Sequence, residues 1–270
     1  MTRDALLFRL YTGLILLIAL AAICAPLLTS YDPYESQIQM SLLPPSAEHY
    51  FGTDKLGRDL FTRVLYGARV SLTMTLFVVV LIAGLGTLIG VISAYVGGKV
   101  DTVIMRLADI FLAFPGIVLA IAIAGVLGGS AVNAVLALVV VGWTKYARLA
   151  RSLTLKVKQQ DYLAAAITNG TRQADMIRRH ILPNILPIII VTAALDIGAL
   201  MMELAGLSFL GFGAQPPTPE WGLMLNEGRQ LIQTAPWLMI FPGLAIVIVV
   251  AVFNLWGDSL RDIMDPRKAN

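Results

Sequence analysis

The chain alternates long apolar blocks with short polar ones. Six stretches are close to the roughly 20 residues that cross a hydrocarbon core: residues 5–28, 70–96, 107–127, from 131 onward, 184–210 and 236–256. Lipid-exposed backbone must satisfy its own hydrogen bonds, and blocks of this length do so as helices. The pattern predicts an all-α integral membrane protein with six transmembrane helices. The third and fourth blocks are the tightest fit, because residues 107–144 leave few positions for two crossings. The fourth helix is therefore predicted to run past Lys145 and Arg148, whose long stems can snorkel to the interface. Trp237 and Trp256 bracket the sixth block about 28 Å apart along a helix, which places each indole in an interfacial belt. The first block is longer than a signal-peptide core and is followed by five more, so it reads as an uncleaved helix.

Six crossings put both termini on one side, and charge says which. With the ends inside, the cytoplasmic segments hold Arg3, Arg9, Lys99, Arg106, the basic residues between Lys145 and Arg179, and Arg261, Arg267 and Lys268. The outer segments hold only Lys55, Arg58, Arg63, Arg69 and Arg229. That bias predicts cytoplasmic termini. It also accounts for the net charge of +3 without invoking nucleic acid.

Composition agrees and removes other classes. The chain is 57% hydrophobic and 14% charged, against about a quarter charged in soluble domains. Cys24 is the only cysteine, which excludes a disulfide scaffold, and it reads as a packed small hydrophobe rather than a lipidation site. No G-x-x-x-x-G-K-[ST] phosphate loop occurs, and Gly84/Gly86 and Gly211/Gly213 lie in or beside apolar helices, where they suit close packing. His49 and His180 fall on opposite sides of the predicted membrane, which leaves no zinc set and no catalytic constellation.

Three segments are more than apolar filler. In FGTDKLGRDLFTRVLYGARVSL (51–72), Gly52 and Gly57 permit tight turns, and Thr53 or Asp54 can cap a helix. Leu60, Phe61, Val64 and Leu65 then alternate at helical spacing with Arg58, Arg63 and Arg69, which predicts an amphipathic helix on the outer leaflet. The inner loop, 145–183, holds two helix-capable pieces around Gly170. Asp161 can cap DYLAAAIT, Gly170 can take a left-handed cap, and Pro183 punctuates the entry to the fifth block. A short helix of small residues there suits a groove on a partner; a solvated positive-inside loop is the plainer alternative. In the fifth block, Asp196 and Glu203 lie two turns apart on one face, with Met201 and Met202 between them. Each charge in lipid would cost about 2.5–3.5 kcal/mol, so that face looks into the bundle. It either lines a pathway or hydrogen-bonds neighbouring helices.

These segments, with LSFLGFGAQPPTPEWG (207–222) and FNLWGDSLRDIMDPR (253–267), resemble the membrane-spanning permease subunits of bacterial ABC importers in the peptide/nickel group. The resemblance covers nearly the whole chain. It implies a type I importer permease fold divided into an N-terminal helix and outer loop (1–69), a five-helix core (70–258) and a cytoplasmic tail (259–270). It also implies a non-catalytic pore subunit in the bacterial inner membrane, without cofactor of its own. ATP would be bound by two partner subunits, beside a second permease and an external solute-binding protein.

The implied sites follow motif by motif. The outer motif maps to Gly52, Thr53, Asp54, Gly57, Arg58, Asp59 and Arg63. The ATPase-coupling loop maps to Asp161, Tyr162, Ala165, Ala166, Gly170, Arg178, His180 and Pro183. Ala164 stands where the family usually has glutamate, which leaves Arg172, Arg178 and Arg179 to supply the electrostatics of docking. The candidate path is Asp196, Met201, Met202 and Glu203. The cargo implied is nickel, a metal chelate, or di- and oligopeptides. Residues 195–211 look more like the nickel branch. A stand-alone secondary transporter or channel, with Asp196 and Glu203 as an ion relay, is the rival from another class.

Overall fold

The computed structural model describes residues 3–168 and 170–264, with backbone alone at 3, 164, 165 and 167. Ala164 and Ala165 of the expected docking helix, and Arg267 and Lys268 of the tail, thus lie outside the described side chains. The described residues fold into helices without a strand.

The first helix, α1 (Arg3–Ile23), stops short of the expected residue 28, and a separate turn follows at Ala25–Leu28. Pro26 explains the break. It has no N–H to return to the Ala22 carbonyl, which instead accepts from Arg69 Nε at 2.8 Å. The Arg69 guanidinium also donates to Ile23 O, so a cation closes the negative end of α1. The rest of α1 leans on the last helix, α9 (Trp237–Met264), through stacked Phe8 and Trp256.

Leu60–Val96 is one unbroken helix, α2, of 37 residues. The predicted amphipathic helix and second span are thus a single element about 55 Å long. Asp59 starts it by accepting the Thr62 N–H at 2.8 Å, an N-cap inside the outer motif. The expected division at residue 70 falls within α2, and that at 259 falls within α9, so neither marks a break in the architecture.

The third predicted span is not a straight helix. It is a pair, α3 (Gly98–Leu112) and α4 (Gly116–Leu127), bent by 91°. Pro115 drives Phe114 out of helical geometry and opens α4 instead. Next, α5 (Ala131–Lys158) runs past Lys145 and Arg148 as predicted, with Ser130 accepting the Asn133 N–H at its start. Both of those cations are paired with carboxylates. Lys145 pairs with Asp196, Arg148 with Asp109, and Arg151 holds Asp101 through two 2.6 Å bonds, tying α5 to its neighbours.

A short helix, α6 (Asp161–Thr168), precedes α7 (Gln173–Phe209), and α8 (Trp221–Gly228) leads to α9. Pro183 does not interrupt α7. The turns before it, Met176–Ile181, are wound wide with π-type bonding, which accommodates the proline without ending the helix. Asn184 Nδ2 donates to the His180 carbonyl at 2.6 Å.

The core is built on a seam between α2 and α5. A Cβ at Gly86 would sit 2.5 Å from the Trp143 carbonyl, and one at Gly90 would sit 2.2 Å from that of Ala147. Small residues four apart let the two backbones touch. This is the close packing expected at Gly86. Gly84 faces open space. Among the described residues, five helices are long and apolar enough to cross a membrane, and the bent pair makes a sixth candidate.

Candidate functional site

Three polar regions lie along this frame. The outer one gathers the whole 52–63 motif. Gly52 and Gly57 both have positive φ, and a Cβ on Gly57 would lie 1.8 Å from the Gln37 carbonyl, so only glycine fits that turn. Thr53 Oγ1 accepts the Leu43 N–H at 2.8 Å and donates to Met40 O. Asp54 accepts the N–H groups of Leu56 and Arg58, takes Arg58 Nε at 2.6 Å, and faces Arg63 Nε at 3.4 Å.

The structure corrects one expectation here. Arg58 and Arg63 are not the wet face of an amphipathic helix, for they are 2% and 1% exposed. Both reach Glu227 of α8, at 3.5 and 3.2 Å, and Arg63 Nη1 also donates to the carbonyls of Pro33 and Pro217. Buried charges persist only when paired and fully hydrogen-bonded, as these are. Asp59, besides capping α2, takes His49 Nδ1 at 2.9 Å.

Glu227 and Glu220 were missed from the sequence. A surplus of arginine and lysine over aspartate in residues 52–69 was the available signal, since it calls for a carboxylate from another outer loop. Glu220 is 1% exposed and caps α8 through the Gly222 and Leu223 N–H groups at 2.9 and 2.8 Å. Burial pushes its carboxyl above the ordinary carboxylate range, against the pull of those bonds.

The second region is a half-open cavity of about 200 Å³ between α2, α5, α7 and the α3–α4 bend. Asp196, Ala199, Leu200 and Glu203 of α7 line one side, at spacings of three and four that put them on one face. Lys145 and Tyr146 of α5 line the other, and Leu112 and Gly116 flank the bend between α3 and α4. Lys145 Nζ donates to both Asp196 oxygens at 2.7 Å, and Tyr146 Oη adds a 2.8 Å bond. Glu203 makes no hydrogen bond or ion pair among the described residues. Thus Asp196 bonds a neighbouring helix while it also borders a cavity. Met201 and Met202 fall off the face that borders this cavity, with Met201 buried in the core and Met202 exposed.

The third region is the 159–183 arm. Leu163, Met176 and Ile181 turn inward and are buried. Asp161, Tyr162, Arg172, Arg178, Arg179 and Pro183 face outward, and Ala166 and His180 are half-buried. Gly170 has φ +74°, and the Thr171 N–H closes back on the Ala166 carbonyl at 3.1 Å, the left-handed cap expected there. Nothing lies within 4 Å of a Cβ built on Gly170, so the turn constrains backbone rather than packing. Tyr162 Oη meets Asn184 Nδ2 at 3.3 Å, which joins α6 to α7.

The profile of the binding-protein-dependent transport system inner membrane component matches residues 86–270. The chain is 48% identical over 257 residues to the dipeptide transport system permease protein DppC of Alkalihalophilus pseudofirmus, covering 94% of this chain and 84% of that one. It is 45% identical to the probable D,D-dipeptide transport system permease protein DdpC of Escherichia coli K12 (94% and 85%). It is 41% identical to the nickel transport system permease protein NikC of the same strain (96% and 93%). In fold it is similar to a chain of the MetNI methionine ABC transporter in an inward-facing conformation, with TM-score 0.54 and 19% identity, covering 73% of this chain and 96% of that one.

Proposed function

The chain belongs to the binding-protein-dependent transport system inner membrane component family, and from that premise we propose how its parts share the work of import. It is a multi-pass, non-catalytic permease subunit of an ABC importer, and ATP hydrolysis resides on separate subunits. The proposal concerns what lies beyond that. Two ATPases grip the arms of this chain and of a second, similar permease from the cytosol. An external binding protein delivers cargo to the opposite face, where the outer knot holds α2 and α8 in register. Both termini are cytoplasmic.

One observation carries this reading. The exposed arm is covalently continuous with α7, the helix that bears Asp196 and Glu203 on the cavity. Nucleotide that binds two ATPase states unequally therefore has a direct handle on the cavity wall.

For the cargo, a small peptide is favoured over nickel or its chelate. Asp196 is neutralised by Lys145, and no group of three or more His, Cys, Asp or Glu among the described residues could hold a metal ion. With Asp196 and Lys145 cancelling, Glu203 leaves the cavity one net negative charge, which suits the ammonium end of a peptide. The names of the relatives span both classes. The test is uptake of radiolabelled alanyl-alanine against nickel, free and chelated, in cells with and without the gene. Accumulation of the dipeptide is expected. Accumulation of nickel alone would overturn the cargo assignment and leave the division of labour standing.

A further inference from the structure

Of the carboxylates on the cavity, Asp196 is fully engaged and Glu203 is not. Asp196 receives three short bonds, two from Lys145 Nζ and one from Tyr146 Oη. Glu203 points into the same space without a hydrogen-bonding partner among the described residues. An unpaired carboxylate inside a membrane bundle is costly, and residues of this kind mark places where a charge is received.

We propose that Glu203 is the receptor for the α-ammonium group of a peptide in transit, with Lys145 facing its carboxylate. This rests on the reading of the cavity as part of the import path. Three features of the geometry support it. First, Glu203 lies seven residues beyond Asp196, about 10.5 Å along the helix axis. An extended dipeptide of about 7 Å with a hydrogen bond of about 3 Å at each end spans roughly 13 Å, so the long side chains of Glu203 and Lys145 supply the last few ångströms. Second, an ammonium group carries three donors, and Lys145 uses two of its own on Asp196. Its third N–H remains for a cargo carboxylate, and the Lys145 side chain is 55% exposed. Third, the cavity of about 200 Å³ is smaller than the pockets of about 300–1,000 Å³ that bury drug-sized ligands, and apart from Thr144 its remaining side chains (Ile82, Leu138, Val141 and Leu200 among them) are aliphatic. Such walls make no demand on side-chain chemistry. The termini are thus recognised and the side chains tolerated.

The experiment uses the assembled transporter in proteoliposomes, with its second permease, ATPases and binding protein, and radiolabelled alanyl-alanine as probe. Glu203→Gln is expected to lower dipeptide uptake about tenfold, the loss of one charge-assisted bond. Stimulation of ATP hydrolysis by loaded binding protein should persist, and Glu203→Asp should keep most of the uptake. Wild-type uptake by Glu203→Gln would overturn the assignment while leaving the arm's coupling role intact. A wild-type transporter that moves nickel and no dipeptide overturns it together with the cargo reading. Should Glu203→Gln fail to assemble, Ala199→Cys on the same wall supplies the second measurement. Its modification by N-ethylmaleimide should be slowed by alanyl-alanine. No protection, or a thiol made inert because the second permease fills the cavity, overturns the proposal.

Discussion

The 52–63 knot and the 159–183 arm use the same residue type in opposite ways. Arg58 and Arg63 are buried and share Asp54 and Glu227, so each guanidinium is fixed from several sides. Arg178 and Arg179 stand exposed, and the Arg179–Asp175 ion pair spans 3.5 Å between side chains 74% and 41% exposed. Charge in the first region sets geometry within the chain. In the second it is left on the exposed surface. The difference shows that counting arginines per loop locates the membrane but says nothing about their work.

The contrast can be broken most readily at Arg63. Replacing it with alanine leaves Glu227 and Asp54 under-compensated in a buried setting, and a loss of about 3–5 kcal/mol is expected. Thermal unfolding in detergent reads this directly, and an unchanged midpoint would dissolve the distinction between the two regions. Gly170→Val places a β-branched residue at positive φ, a local strain of about 1–2 kcal/mol. Uptake should collapse while membrane abundance and the global midpoint hold, because nothing among the described residues lies within 4 Å of a Cβ at that position. Full uptake by that variant would remove the docking role of the arm.

Glu220 sharpens the picture through pH. Its carboxyl is raised by burial, so its contribution to stability is whole below the ordinary carboxylate range and is lost as pH rises through the elevated folded value. The midpoint of Glu220→Gln relative to wild type should therefore climb with pH over that window and then level off. A flat difference would mean that the cap, rather than the buried charge, governs the site. The smallest effect is expected at Arg179. Its change to alanine should move stability by less than about 0.5 kcal/mol, as exposed pairs do, while weakening salt-sensitive association with the ATPases in pull-down.

Much of this was readable from the sequence because the membrane enforces it. Helix class, the extension of α5, the Gly170 cap and the shared face of Asp196 and Glu203 all follow from local periodicity, propensity or backbone stereochemistry. What was not legible depended on partners distant in sequence. Arg58 and Arg63 look amphipathic until Glu227, more than 160 residues away, is seen between them. Met201 and Met202 sit beside two carboxylates in sequence, but a helix turns them elsewhere. Pro115 and Pro183 carry the same local signal and had different outcomes. One bends the chain by 91°, and the other is absorbed by widened turns.

That absorption has a mechanical consequence. Because α7 passes from the arm to the cavity with no loop between, the stroke proposed at Arg178 would travel to Glu203 along one continuous helix, through its widened turns and past Pro187. A loop in its place would have left the two ends free to move independently.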